Sequence, residues 1–256
     1  MSSNPYAAPK TAVSDATAAQ GNFVPGGRGV GGGRGWDWIV SGWELFKRQP
    51  GTWIGLTVVG LVIFAVLALI PFVGSLAMAV LGPVFAGGVM LGCRSLAADG
   101  QLEIGHLFAG FREKFGALAA VGALNLAAQI VIMLVVMAIT GASMFTMMRG
   151  GQPPSPGAAM GLVLAVLVAL ALMIPVAMAV WFAPALVALN DRGTVEAMKE
   201  SFSGCLKNVV PFLLYGIVLM IAGFVASLPL LLGWLVLGPV LAASIYASYR
   251  DIYFTD

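Results

Sequence analysis

Charge is scarce in this sequence. Of its 256 residues only 9% are Asp, Glu, Lys or Arg, against about a quarter in a soluble domain. The deficit is also concentrated. Residues 49–93, 115–148, 150–190 and 208–249 contain no charged side chain, in windows of 45, 34, 41 and 42 residues. A soluble helix must show water a polar face, whereas about 20 apolar residues at 1.5 Å rise cross a bilayer. The four windows, with a mean hydropathy of +0.97, exclude a soluble globular domain and predict an all-α integral membrane protein.

Reactive side chains are equally few. Two cysteines and one histidine cannot supply four zinc ligands. Cys93 and Cys205 lie near charged segments expected to face a reducing compartment, so no disulfide is expected. Glu103 and His106 have the Glu-x-x-His spacing of di-iron bundles, but that site needs two such motifs. No Ser-His-Asp set can be assembled. No charged residue falls inside an expected span short of its cytoplasmic exit at Arg94 or Arg250, which argues against a proton or ion path and against an intramembrane protease. The expectation is a non-enzyme without cofactor or metal.

Residues 1–35 hold no apolar segment of the secretory type. Their "VPGGRGVGGGRG" is glycine-rich and expected to be disordered. Gly27, Gly29 and Gly32 match G-x-G-x-x-G, yet no strand precedes them, so no nucleotide site is read there. Two arginines among glycines suit a basic tether near anionic headgroups. No nucleic-acid partner is expected.

The windows divide into six spans, at about 52–71, 74–96, 117–140, 159–189, 208–228 and 233–250. "IPFVGS" at 70–75 and "LPLLLG" at 228–233 supply the turns within the two longest windows, and "GGQPPSPG" at 150–157 reads as a loop. Six spans put both termini on one face. That face collects 12 of the 13 Lys and Arg, leaving Arg149 alone opposite. The positive-inside rule therefore makes the termini cytoplasmic, in a bacterial inner membrane. Trp36, Trp38, Trp43 and Trp53 cluster at this boundary as an aromatic belt.

A repeat underlies the spans. "LGPVFAGGVMLGCR" at 81–94 returns as "LGPVLAASIYASYR" at 237–250. Three hairpins are expected, each preceded by a cytoplasmic interfacial amphipathic helix. Their apolar stripes are Trp36, Ile39, Val40, Trp43; then Ile104, Leu107, Phe108, Phe111, Phe115; then Val195, Met198, Phe202, Leu206. Ser41-Gly42, Ala109-Gly110 and Ser203-Gly204 correspond across the three. The second span of each hairpin carries Pro83, Pro184 or Pro239 as an expected kink, with Pro184 closest to its exit. The membrane domain is thus expected over 36–253.

Asn125 and Gln129, at i, i+4 on one face, are the strongest polar pair within a span. They read as interhelical hydrogen-bonding groups or as the lining for a small amphiphile. Lys47, Arg48, Arg112, Lys114 and Lys207 sit beside spans, where lipid phosphates would meet them. The Met- and Pro-rich stretch 144–157 is the external segment large enough to recruit a partner.

"LGPVFAGGVMLGCR", "LEIGHLFAGF", "WFAPALVAL" and "GPVLAASIYASYRDIY" together resemble an uncharacterised family of bacterial inner-membrane proteins. The helix-plus-hairpin pattern is more distantly similar to the membrane domain fused to some glycerophosphodiester phosphodiesterases. The resemblance spans about 36–253 and implies a six-span fold without an activity. The leading reading is a non-enzymatic envelope protein acting through membrane lipids, envelope proteins or self-association. The alternative is a carrier of a small amphiphilic or lipid-like molecule. A polar cavity reaching Asn125 and Gln129 would favour the carrier; a packed apolar centre would favour the first reading.

Overall fold

A computed structural model describes residues 21–150 and 156–255, with side chains at 142–159 left out. The elements are β1 (Asn22–Phe23), α1 (Arg34–Arg48), α2 (Pro50–Ala68), α3 (Val73–Ala97) and a 3-10 turn (Ile104–Phe108). After these come α4 (Ala109–Glu113), α5 (Phe115–Gly150), α6 (Pro156–Trp181) and α7 (Ala183–Asn190), then α8 (Thr194–Lys207), α9 (Val209–Ser227), α10 (Trp234–Tyr253) and β2 (Phe254–Thr255). The fold is all-α apart from one two-stranded antiparallel ribbon.

Among the described residues five helical stretches are long and apolar enough to cross a membrane: Pro50–Ala68, Val73–Ala97, Phe115–Gly141, Met160–Asn190 and Val209–Ser227. The expected sixth, α10, falls outside this group because Ser244, Tyr246, Ser248, Tyr249, Arg250 and Asp251 occupy its last turns. All of these but Arg250 and Asp251 are buried, so protein rather than lipid surrounds them.

The turns form where Pro and Gly predicted them. Phe72, Leu230 and Leu231 take positive φ of 59°, 51° and 67° at the two tips. Gly74 and Gly233 then begin the returning helices against the backbones of Leu67 and Ala226. α5 continues to Gly150, into the stretch expected as loop. α6 likewise begins at Pro156, inside that stretch, and 151–155 lie outside the described residues, as do residues 1–20.

The three prolines differ in effect. Pro83 and Pro239 are buried inside α3 and α10. Pro184 instead opens α7, after a break at Phe182. The Ser201 hydroxyl fills that break. It accepts from Phe182 N–H at 2.9 Å and donates to Met178 C=O at 2.6 Å. It thus satisfies both groups of the missing i→i−4 bond, as lipid surroundings demand.

The amphipathic segments pack in a common way. α1 lies on α10, the 3-10 turn and α4 lie on α3, and α8 lies on α6 and α7. The faces turned to protein are small or mixed: Trp38, Gly42, Leu45 and Phe46 in α1, Leu107 and Gly110 in the second segment, Ala197, Ser201, Gly204 and Cys205 in α8. Trp36, Val40, Trp43, Ile104, Val195 and Leu206 point outward. Most of each apolar stripe therefore reaches the surroundings, while Leu107 and the glycine-bearing faces turn to the core. Gly42 meets Val240 C=O at 2.7 Å from an ideal Cβ, and Gly110 meets Val84 C=O closer still. Each carbonyl belongs to the residue after a buried proline.

Residues 21–33 correct the expectation of a disordered tail through 35. They lie over α8 and the end of α10, with β1 antiparallel to β2 in the register Asn22–Thr255 and Phe23–Phe254. Gly27 has φ of +70°, and an added Cβ would sit 2.8 Å from Ile252 Cγ2 and 3.1 Å from Gly204 Cα. Glycine is needed here for a left-handed turn and a close approach, not for a phosphate.

Candidate functional site at the charged face

Asp251, just past the last apolar turns of α10, is the centre of this face. Its carboxylate accepts from Arg34 Nε at 2.8 Å, Trp38 Nε1 at 2.8 Å and Arg28 Nη2 at 3.4 Å. Arg28 Nε also donates to the Asp251 carbonyl at 2.9 Å. Burial pushes this carboxyl up, but the Arg34 and Trp38 hydrogen bonds and the arginine charges outweigh it, holding it below the usual carboxylate range. Asn208 is a second anchor. Its Oδ1 accepts from Val30 N–H at 2.8 Å, while Nδ2 donates to the carbonyls of Arg28 and Gly204. These bonds order a glycine-rich segment that no local pattern would order.

Around this centre, Arg192 bridges Glu196 at 2.8 Å and Glu200 at 3.5 Å and covers the Phe23 ring at 4.8 Å. Arg250 lies 4.2 Å over the Phe254 ring. Burial raises the Glu200 carboxyl, against the pull of Arg192. Glu103 and His106 form a reciprocal capping box, with Glu103 N–H donating to His106 Nδ1 at 3.0 Å. The Glu-x-x-His spacing therefore serves a helix start. Among the described residues no group of three metal-ligating side chains occurs. Cys93 and Cys205 are free and buried.

The five basic residues expected at lipid phosphates differ in their surroundings. Lys47 pairs with Glu44 at 2.9 Å, Arg48 with Asp99 at 3.1 Å and Lys114 with Asp191 at 2.5 Å. The Lys114 hydrogen bond and charge hold the Asp191 carboxyl below its ordinary value. Lys207 donates to the carbonyls of Gly26 and Gly27 at 3.1 and 2.7 Å. Arg112 is exposed with no ion pair among the described residues.

Asn125 is half-buried and Gln129 exposed. Polar links across helices are made instead by Ser201 and by Tyr215, whose hydroxyl meets Ser244 Oγ at 2.7 Å. Tyr249 reaches Asn190, and Tyr253 donates to the Glu200 carbonyl at 2.8 Å. Two apolar grooves adjoin α8 among the described residues. One of about 270 Å³ is lined by Ile174, Met178, Trp181, Cys205, Phe212 and Leu213 among others. The other, of about 530 Å³, is lined by Leu124, Ala179, Val195, Met198, Lys199 and Phe202. Neither is lined by Asn125 or Gln129.

Comparison with known proteins agrees with the membrane reading. A family described as a domain of unknown function, DUF7847, matches residues 41–249. A Burkholderia thailandensis protein carrying the name probable inner membrane protein is 32% identical over 222 residues, covering 83% of this chain and 80% of its own. No solved structure matches. These matches do not carry the phosphodiesterase resemblance.

Proposed function

The chain belongs to the DUF7847 family, and from that footing we propose a non-enzymatic, six-span inner-membrane protein that acts through lipid and protein contacts. Five helices of spanning length and an inner-membrane relative make it a multi-pass inner-membrane protein. The sixth crossing is supported by parity. β1 pairs with β2, so the chain enters and leaves at one face, and five crossings would separate its ends. The amphipathic α1 does not span, which leaves α10 to complete an even number. The 12 basic residues assigned to that face favour a cytoplasmic location.

Three related units are supported by register. Gly42 against the carbonyl after Pro239 mirrors Gly110 against the carbonyl after Pro83. Each amphipathic segment lies on the second helix of the unit before it, and α1 closes the ring on α10. The unit containing Pro184 has diverged, with Ser201 at its helix break.

The observation that carries the functional reading is how the charged face uses its groups. Asp251, Asn208 and Ser201 hold segments together, while apolar stripes face outward beneath a rim of basic side chains. Such a rim contacts anionic headgroups at about 1 kcal/mol per cation. The two grooves described are apolar and lined by neither Asn125 nor Gln129, which favours this reading over the carrier.

The test is lipid analysis of protein purified in mild detergent. Acidic phospholipid retained above the level of a membrane protein without a basic rim is expected. Retention equal to that control would contradict the reading, and uptake of an amphiphile into proteoliposomes beyond empty vesicles would favour the carrier.

A further inference from the structure

We propose that the groove between α5, α6 and α8 binds one anionic phospholipid, with an acyl chain along its apolar wall and the phosphate at Lys199. This rests on the membrane reading above and gives it a site.

The groove is open along its side, offers about 530 Å³ and runs from the charged face inward. Its outer end is formed by Val195, Lys199 and Phe202, at i, i+4, i+7 along α8. Thr194 Oγ, at the start of that helix, donates to the Ala117 carbonyl at 3.0 Å, fixing α8 beside the start of α5. The inner end reaches Leu124, nine residues beyond Phe115 and so about 13 Å deeper at helical rise. A molecule filling this groove must therefore be apolar at depth and polar at the interface.

Charge selects the headgroup. Lys47, Arg48, Lys114 and Arg192 are all paired with carboxylates. Lys199 has two acidic neighbours on its own helix, but Arg192 engages both Glu196 and Glu200. Lys199 is left exposed at the groove mouth with no ion pair among the described residues. An extended peptide in the same place would lay unpaired backbone groups against Leu124, Ala179 and Phe202, at several kcal/mol each in lipid. A phospholipid meets both ends of the groove without that cost.

The test is native mass spectrometry of the full chain in detergent, titrated with phosphatidylglycerol, phosphatidylcholine and glycerol phosphate. One phosphatidylglycerol is expected to bind more tightly than phosphatidylcholine, with glycerol phosphate alone failing to compete. Lys199→Gln should weaken phosphatidylglycerol about fivefold, the effect of one interfacial cation. Ala179→Phe, or Val195→Trp on the exposed rim if the first does not fold, should block the chain and weaken both phospholipids. Equal losses for Lys199→Gln and Arg112→Gln, with none for the groove variants, would overturn the site but leave the wider lipid reading standing. Competition by glycerol phosphate would overturn the acyl-chain placement. Absence of any preference for phosphatidylglycerol would overturn both site and reading.

Discussion

The charged end of the bundle and the opposite end are held together by different means. At the charged end lie the large fully buried side chains, among them Trp38, Trp53, Phe182, Tyr249 and Tyr253. There β1 and β2 pair, Asp251 gathers three donors, and glycines bring backbones together. At the opposite end Phe72 is 85% exposed and Leu230 is 89% exposed. The contrast also separates helices: 56% of the apolar window of α3 is buried against 6% in Met160–Asn190. In lipid, apolar exposure carries no penalty, so helix association depends on close packing and hydrogen bonds rather than on hydrophobicity. Specific structure is concentrated where those contacts are made.

Substitutions at the two ends should sharpen this difference. The largest effect is expected for Gly110→Val, which drives a side chain into the Val84 carbonyl. Overpacking of this kind costs about 1–3 kcal/mol or more, read as a lowered thermal midpoint in detergent. Gly60→Ala, with nothing within 4 Å of its added Cβ, should leave the midpoint unchanged, and equal behaviour of the two would break the comparison.

Asp251→Asn comes next, at about 1.5–3 kcal/mol for charge-assisted hydrogen bonds. The folded carboxyl titrates below its unfolded value. Its stabilisation is thus present above about pH 4 and is lost as pH falls through the folded value. The gap between wild-type and variant midpoints should be widest near pH 7 and narrow as pH falls below about 4. A gap that does not vary with pH would remove the ion pairs from the account.

Ser201→Ala should cost about 1–3 kcal/mol by leaving Phe182 N–H and Met178 C=O without their shared partner. A midpoint unchanged from wild type would mean the helix break satisfies itself. Smallest is Lys114→Ala, whose pair with the fully exposed Asp191 is screened by water, so the midpoint should barely move; Phe72→Ala should match it or fall below.

The spanning segments were legible because charge-free windows and Pro/Gly turns are local signals. Expected spans such as 74–96 and 208–228 differ from Val73–Ala97 and Val209–Ser227 by one residue at each end. Two parts of the molecule were not legible. Residues 21–33 read as disorder by composition, since their partners Asp251 and Asn208 lie about 180–220 positions away. The polar contacts across helices fell to Ser201, Tyr215 and Ser244 rather than Asn125 and Gln129. Hydroxyls satisfy themselves on their own helix and give no signal until a neighbour approaches. Asp251 did leave one trace, as the first acid after a charge-free window of 42 residues. The second amphipathic segment, read as one helix, is a 3-10 turn and α4 with a bend at Lys114.

The central claim is that α10 crosses the membrane and returns the chain to the face where it began. Alkaline phosphatase joined after Leu231, between α9 and α10, and after Thr255 tests it most directly. Activity in the first fusion and silence in the second is the predicted result. Equal activity in both would mean that α10 does not cross, and the shared face of the two chain ends would be contradicted.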